Sequence, residues 1–471
     1  MFDMTSGRSS PRSATTCTVV LFTRDLRVHD HPALWQAART SDHVVPLFVL
    51  DDALLASDYT GPNRVRFLLQ SLADLDRSLQ TLGGRLVVRR GDAVREAVAV
   101  ARQAGAQRVF ASGDVSAFAQ RRQRRLAAAC AESGLEYRVF PGVTIVSPGA
   151  LRPAGGDHFR VFTPYWNRWR SRPLRLLAPT PGRLSLPSGV AVGMLPERST
   201  LGLGTPSPDA IEGGETAGRA RLETWCRSGV ERYAERHDAL ALEGTSRLSA
   251  YLHFGCLSPV EVASRCFAGD AGEAFLRQLC WRDFHHQVTA AFPAIAREDY
   301  RPRGDRWKDD EELLAAWKAG RTGYPLVDAG MRQLMAEGFM PNRARLVTAS
   351  FLVKDLGLDW RAGAQHFFDL LLDGDIANNA GNWQWVAGTG NDTRPHRVFN
   401  PVRQAERFDP DGTYVRRFIP ELAGVDRARI HTPWRLDSGT WRRLGYCDRL
   451  VDHTEATFRR RLSRRSTSTA A

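Results

Sequence analysis

The chain has no run of 18 or more apolar residues, which excludes a membrane-spanning helix. Its first 16 residues are polar and rich in Ser and Thr, with no apolar segment of the kind a secretory signal needs, so a tail without structure is expected there. Cysteine is scarce. The seven (Cys17, Cys130, Cys226, Cys256, Cys266, Cys280 and Cys447) are odd in number and scattered, and none forms a Cys-x-x-Cys. That argues against a disulfide framework and a zinc site, and for reduced thiols in a cytoplasmic protein. The phosphate-binding glycine patterns are missing too. No G-x-G-x-x-G follows the first strand pattern and no G-x-x-x-x-G-K-[ST] occurs, so an ordinary dinucleotide or P-loop site is unsupported. Gly202-Leu-Gly204 lies in a Pro/Ser/Gly-rich stretch, the wrong context. There is no H-E-x-x-H, no other metal spacing and no nucleophile elbow. The adjacent His285 and His286 cannot share a helical face and are expected at the surface or at a helix cap.

What is present is a 471-residue chain with 43% hydrophobic and 25% charged residues, enough for two or three globular domains. The net charge is +13, and Arg greatly outnumbers Lys. Such a surface attracts polyanions, and the guanidinium is the better bidentate phosphate partner. A composition rich in Arg throughout explains part of that charge, so it leans only modestly towards nucleic acid.

Five short apolar runs alternate with helical patterns over residues 17–145: 18–22, 44–50, 85–89, 108–111 and 137–140. This rhythm predicts a doubly wound parallel α/β sheet. At the carboxyl ends of such strands sit the polar turn Thr23–Asp30 and, after the fourth strand, Asp114. Both are candidates for a ligand edge or an interdomain contact. Residues 146–215 are rich in Pro, Gly and Ser and read as a long connector, with an aromatic knot at Phe162-Thr-Pro-Tyr-Trp-Asn-Arg-Trp169. Residues 216–450 have helical periodicity. The predicted fold class is therefore α/β plus all-α. The chain beyond Phe458 is rich in Arg, Ser and Thr and is expected to fray.

The densest chemistry lies in Asp373-Gly-Asp-Ile-Ala-Asn-Asn-Ala-Gly-Asn-Trp-Gln-Trp385. Two carboxylates open it and suit a first helical turn. Trp383 and Trp385, two residues apart, must point in different directions on a helix. Thr245-Ser-Arg-Leu-Ser249 places three hydroxyls and Arg247 before a helical run, a phosphate site or a plain cap. Gln278, Trp281 and Arg282 share one helical stripe that suits stacking and hydrogen-bonding a base. Asn342 and Arg345 share another, with Arg343 turned elsewhere and Arg345 a candidate ion-pair partner of Asp373. No periodicity links Trp307, Trp360 and Trp383.

In order along the chain, these segments resemble the photolyase/cryptochrome flavoprotein family, nearest its bacterial class I cyclobutane pyrimidine dimer photolyases. The resemblance runs from about Val19 to about Trp434. It rests on Phe22-Thr-Arg-Asp-Leu-Arg27, Phe162-Thr-Pro-Tyr165, Gly244-Thr-Ser-Arg-Leu-Ser-Ala-Tyr-Leu252, Trp281-Arg-Asp-Phe284, Thr322-Gly-Tyr-Pro-Leu-Val-Asp328, Asn342-Arg343, Ala349-Ser-Phe-Leu-Val-Lys-Asp355 and Asp373–Trp385. It implies FAD, reduced and anionic when active, inside the helical domain. Tyr233, Thr245, Ser246, Arg247, Leu248 and Ser249 would bind its phosphates and adenine side. Arg345 and Asp373 would pair beside the ring, Asp375 would touch the flavin, and Asn379 would face its N5. Trp383, Trp360 and Trp307 would carry electrons to the surface. Trp281 and Trp385 would wall the cavity for a flipped-out dimer, with Gln278, Arg282 and Asn342 on the substrate side. Arg343 and Arg397 would grip DNA phosphates. Asp114 resembles the position that serves an 8-hydroxy-5-deazaflavin antenna in some members, favoured over 5,10-methenyltetrahydrofolate.

The implied activity is light-driven repair of cyclobutane pyrimidine dimers in DNA by a monomeric carbon–carbon lyase, nucleoid-associated when bound. Three positions depart from the class I pattern: Gln278 stands for a Glu, Pro341 for a His and Leu346 for a Met. Gln278 also fits (6-4) photoproduct repair, although Pro341-Asn-Arg lacks the His-His pair of the animal-type enzymes. A blue-light receptor without repair is the other alternative, against which Asn379 speaks.

Overall fold

A computed structural model describes residues 15–266, 269–394 and 396–459. The expected tails fall outside the described residues, except for 15–16 and 459.

Five parallel strands form one sheet in the order β3-β2-β1-β4-β5. They are β1 (Cys17–Phe22), β2 (His43–Asp51), β3 (Val87–Gly91), β4 (Arg108–Ser112) and β5 (Glu136–Phe140). Alternation along β1 explains the layers. Val20 and Phe22 face the helices Pro32–Thr40 and Pro62–Thr81, and Val19 and Leu21 face Ala93–Gln103 and Ala117–Glu132. Both faces are covered, so the inner strands read as unbroken apolar runs. The chain reverses direction across the sheet between β1 and β4, the point where open α/β sheets usually take a ligand.

Protein fills that point here. The turn after β1 meets the end of the helix Ser249–Phe254: the Leu26 amide donates to the Phe254 carbonyl at 3.2 Å, and Arg27 Nη1 to the Gly255 carbonyl at 2.9 Å. Gly255 has φ +68°, and a Cβ there would lie 2.0 Å from the Arg24 carbonyl oxygen, so only glycine permits the approach. Of the two expectations for Thr23–Asp30, the interdomain contact is the one observed.

The stretch after β5 is irregular apart from the helix Phe162–Arg170, which the aromatic knot forms by burying Phe162, Tyr165, Trp166 and Trp169. The remainder is mostly helical. Its centre is the helix Gly269–Ala291, apolar around much of its circumference and buried accordingly. Beside it lie Pro325–Glu337, Asn342–Ser350, Trp360–Leu370 and Ile376–Ala387. The Asn342–Ser350 helix widens into a π-helical turn, Phe351–Leu356. Asp328 of the Thr322–Asp328 motif is structural: its buried carboxylate accepts the Thr322 amide at 2.8 Å and hydroxyl at 2.6 Å. No helix among the described residues is long and apolar enough to cross a membrane. All seven cysteines are unbridged.

Candidate active site

A cavity of about 450 Å³ opens in the helical part, within the size range of small-molecule and cofactor sites. One wall is the loop Thr245–Leu248 with Ser249, another the face of Gly269–Ala291 carrying Gln278, Trp281, Arg282 and His285. The helices Asn342–Ser350 and Ile376–Ala387 close it with Arg345, Asn379, Trp383 and Trp385.

Local sequence explains how the last of these helices is set. Asp375 is its N-cap: Oδ1 accepts the Asn378 amide at 2.9 Å and the Asn378 side chain at 2.8 Å. Asp373 lies before the helix, so the expectation of two acids inside its first turn is corrected. Two glycines let neighbouring elements come close. A Cβ on Gly381 would lie 2.2 Å from His285 Nδ1, and one on Gly363 would lie 2.3 Å from Trp383 Cη2.

The two indoles diverge as their spacing requires. Trp383 is 2% exposed and packs edge-on against Phe367, with ring centroids 4.9 Å apart. Trp385 is half-buried and carries the Arg397 guanidinium 4.8 Å above its ring. Across the cavity Trp281 stacks on Phe162 at 3.7 Å and 2°. The aromatic knot thus backs a cavity wall.

Electrostatics divide the site in two. Arg345 Nη2 donates to Asp373 Oδ2 at 2.9 Å. Burial alone would raise the Asp373 pKa, but the charge and hydrogen bond of Arg345 outweigh it and hold the carboxyl below its usual range. Asp375 is likewise buried yet held well below the usual range, chiefly by Arg24. Arg24 reaches Asp375 from the turn after β1 and also donates to Asp114 at 3.3 Å. Around them His253, His285 and His286 are each pushed down to about 4 by burial, so they are neutral at pH 7. Four polar atoms on cavity-lining residues are buried without a hydrogen-bond partner among the described residues: Asp373 Oδ1, His253 Nδ1, His285 Nδ1 and Trp383 Nε1. Such atoms carry a desolvation cost that a polar ligand relieves.

Comparison with known proteins agrees with this geometry. The family described as DNA photolyase matches residues 18–183, and the FAD binding domain of DNA photolyase matches residues 275–465. A deoxyribodipyrimidine photo-lyase of Streptomyces griseus is 52% identical over 94% of this chain and 97% of its own length. The chain belongs to the photolyase/cryptochrome family. A cryptochrome DASH of Gloeobacter violaceus is 38% identical over 92% of this chain and 91% of its own. The crystal structure of a bacterial class III photolyase from Agrobacterium tumefaciens superposes with a TM-score of 0.91 at 33% identity, covering 99% of this chain and 100% of that one. The protein is an FAD-binding lyase of DNA repair.

The photolyase-type cavity gathers most of the expected residues. Tyr233, Thr245, Ser246, Arg247, Leu248, Ser249, Gln278, Trp281, Arg282, Asn342, Arg345, Asp373, Asp375, Asn379, Trp383 and Trp385 all line it. Asn379 Nδ2 donates to the Ala364 carbonyl at 3.0 Å, leaving Oδ1 as the free end of the amide. Trp360 and Trp307 are outside the cavity, yet the backbone connects them to it. Trp360 is fully buried one turn from Gly363, on which Trp383 rests. Lys308, next to the half-buried Trp307, pairs with Leu358 just before Trp360.

Two expectations are corrected, and three expected site residues are found with partners inside the chain. Asp114 is buried against Arg24 in the interdomain contact. Arg343 is ion-paired with Asp238 at 2.6 Å and lies over Phe408. Arg282 donates to the backbone carbonyls of Val143 and Leu252 and ties the helix to the segment after β5. The helix after Thr245–Leu248 is only six residues long and lacks a side-chain cap. The loop is held instead by Arg247, which adopts φ +52° and pairs with Glu337 at 2.9 Å. His285 and His286 are core residues, 2% and 0% exposed, not surface caps. Arg24, His253, Gly363 and Gly381 were missed. Only the polar turn Thr23–Asp30 gave any signal, and it pointed to an edge without naming a partner.

Proposed function

We propose that the protein repairs cyclobutane pyrimidine dimers in DNA under blue or near-UV light, acting as a monomer in the cytoplasm. The observation that carries this reading is one cavity walled by Trp281 and Trp385, with the Arg345–Asp373 pair, Asn379 and Trp383 in the same lining. FAD, bound and reduced, would lend the electron that opens the cyclobutane ring and take it back once the two pyrimidines have separated. The rest is done by the chain. Tyr233, Thr245, Ser246, Leu248 and Ser249 hold the phosphate and adenine side. Arg345 keeps Asp373 ionised next to the flavin ring and offers a positive charge to an anionic cofactor. Asn379 presents an amide oxygen towards N5. Trp281 and Trp385 offer flat apolar faces to a flipped-out lesion, which costs less to extrude than an intact pair.

Gln278 is exposed at the mouth and makes no hydrogen bond with the described residues. An amide there donates to and accepts from a pyrimidine edge but supplies no proton. Arg397, exposed over Trp385 and without a carboxylate partner among the described residues, is placed to take a phosphate beside the lesion. Trp383, Trp360 and Trp307 run from buried to half-buried, the order a chain of electron carriers to the surface needs. An antenna of the 8-hydroxy-5-deazaflavin type remains our reading for the N-terminal domain. Asp114 stands at the strand edge where we place it, and the absorption spectrum of fresh protein tests the reading.

The deciding experiment mixes reduced protein with DNA carrying defined lesions under blue light and counts restored bases. Loss of cyclobutane dimers is expected, with (6-4) photoproducts untouched. Persistence of the dimers with FAD bound and reduced would sink the reading, and loss of (6-4) products alone would change the substrate.

A further inference from the structure

The crevice between β1 and β4 is filled by Arg24. Its Nη1 donates to Asp114 after β4, its Nη2 to Asp375 at the head of the Ile376–Ala387 helix, and its Nε to the His253 carbonyl at 3.0 Å. One guanidinium from the N-terminal domain therefore joins two buried carboxylates, one of which lines the cavity. We propose that Arg24 is a positioning residue for the flavin, a guanidinium through which the N-terminal domain raises the redox potential of the cofactor bound in the helical domain. The inference rests on FAD occupying the cavity described above.

The charges around Asp375 can be enumerated. Arg24 comes from the turn after β1 and Asp114 from the end of β4. His253 comes from the Ser249–Phe254 helix, and Arg282, His285 and His286 from Gly269–Ala291. Arg64 acts on His253 and Asp373 on Arg64, one step further from Asp375. At pH 7 the histidines are neutral, so Asp114, Asp375 and Asp283, which lies 3.9 Å from Arg282, are faced by Arg24 and Arg282. Arg282 is committed to the Val143 and Leu252 carbonyls, which leaves Arg24 as the guanidinium that touches Asp375. Without it a net negative charge stays buried next to the cavity, where low polarisability lets it act over a distance. A reduced, anionic flavin is disfavoured by that charge and the oxidised form is not. Asp375 also caps the helix that carries Asn379 and Trp383, so the same bond orients both.

The test compares full-length, flavin-loaded proteins by spectroelectrochemistry. Arg24→Gln should shift the balance of reduced and oxidised flavin at least tenfold towards oxidised, a fall of about 30 mV for a two-electron couple. Asp114→Asn keeps the Arg24–Asp375 bond and should move the potential the other way. It therefore serves if Arg24→Gln does not fold. Arg24→Lys and the double variant should return near wild type. Potentials within twofold of wild type in fully loaded single variants, or shifts of both in one direction, overturn the proposal alone. A wild-type protein that binds no FAD overturns the cavity reading and this inference with it.

Discussion

Gly363 lies against the indole of Trp383 so closely that a Cβ would stand 2.3 Å from its Cη2 and 2.4 Å from Leu352 Cδ2. The helix Trp360–Leu370 can approach Ile376–Ala387 only because this position has no side chain. Trp383 thereby rests on the helix that begins with Trp360. Gly363→Ala should cost ~1–3 kcal/mol of stability by overpacking. It should also slow light-driven reduction of oxidised flavin while FAD stays bound. Unchanged melting temperature and photoreduction rate would refute the contact.

Trp383→Phe preserves a ring but removes the easily oxidised indole. Photoreduction of oxidised flavin should fall at least tenfold, whereas dimer repair by protein reduced beforehand should keep most of its rate. Parallel loss of both, measured by flavin absorbance and thymine recovery, would show that Trp383 is not an electron carrier.

Arg397 and Arg343 should behave differently despite their shared charge. Arg397→Ala should weaken damaged and undamaged DNA alike and reduce the salt slope of binding by about 1. Arg343→Ala breaks a pair with Asp238 at 2.6 Å, so it should lower the melting temperature and leave the salt slope nearly unchanged. Titrations at several salt concentrations distinguish the two, and a lower slope in Arg343→Ala would return that residue to the DNA surface.

Gln278→Ala removes hydrogen bonds to the lesion without touching the flavin. Affinity for dimer-containing DNA should drop by about 0.5–1.5 kcal/mol, with the flavin spectrum unchanged. A repair rate that varies with pH in Gln278→Glu but not in wild type would confirm that the amide has replaced a titrating acid.

Acid should destabilise the fold through its buried histidines. His253, His285 and His286 fall from 6.5 to about 4 in the folded state, so the unfolded chain binds more protons between those values. Stability is then lost as pH falls from about 6.5 towards 4. Asp283, raised from 3.8 to about 6 by burial, has the opposite sign over part of that range and offsets one of the three. Melting curves should therefore show a net fall below about pH 6, and a flat profile would contradict the burial of these imidazoles.

The sheet was legible in the sequence because each of its elements is a local pattern. The unbroken apolar run of β1 and the 3.6-residue rhythm of Pro62–Thr81 depend on neighbours a few positions apart. The divergence of Trp383 and Trp385 was legible for the same reason, since a helix fixes the angle between residues two apart. Family motifs supplied the cavity lining, but as a set of positions without partners. Partners are what those motifs leave out. Arg343, Arg282 and Asp114 are types that bind phosphate or pigment when free, and each is occupied by another part of the protein.

Amino-acid order alone determined the two-part architecture, the helix pair of indoles and the acid–Arg composition of the site, since short-range sterics and burial write these into adjacent residues. Only the tertiary structure decided which charges remain free. Arg24 and Asp375 are 351 positions apart, and nothing in either segment announces the other. Docking of the sheet onto the helical domain joins them, and the desolvation of that contact neutralises His253 and His286 and makes the charge of Arg24 count at the cavity.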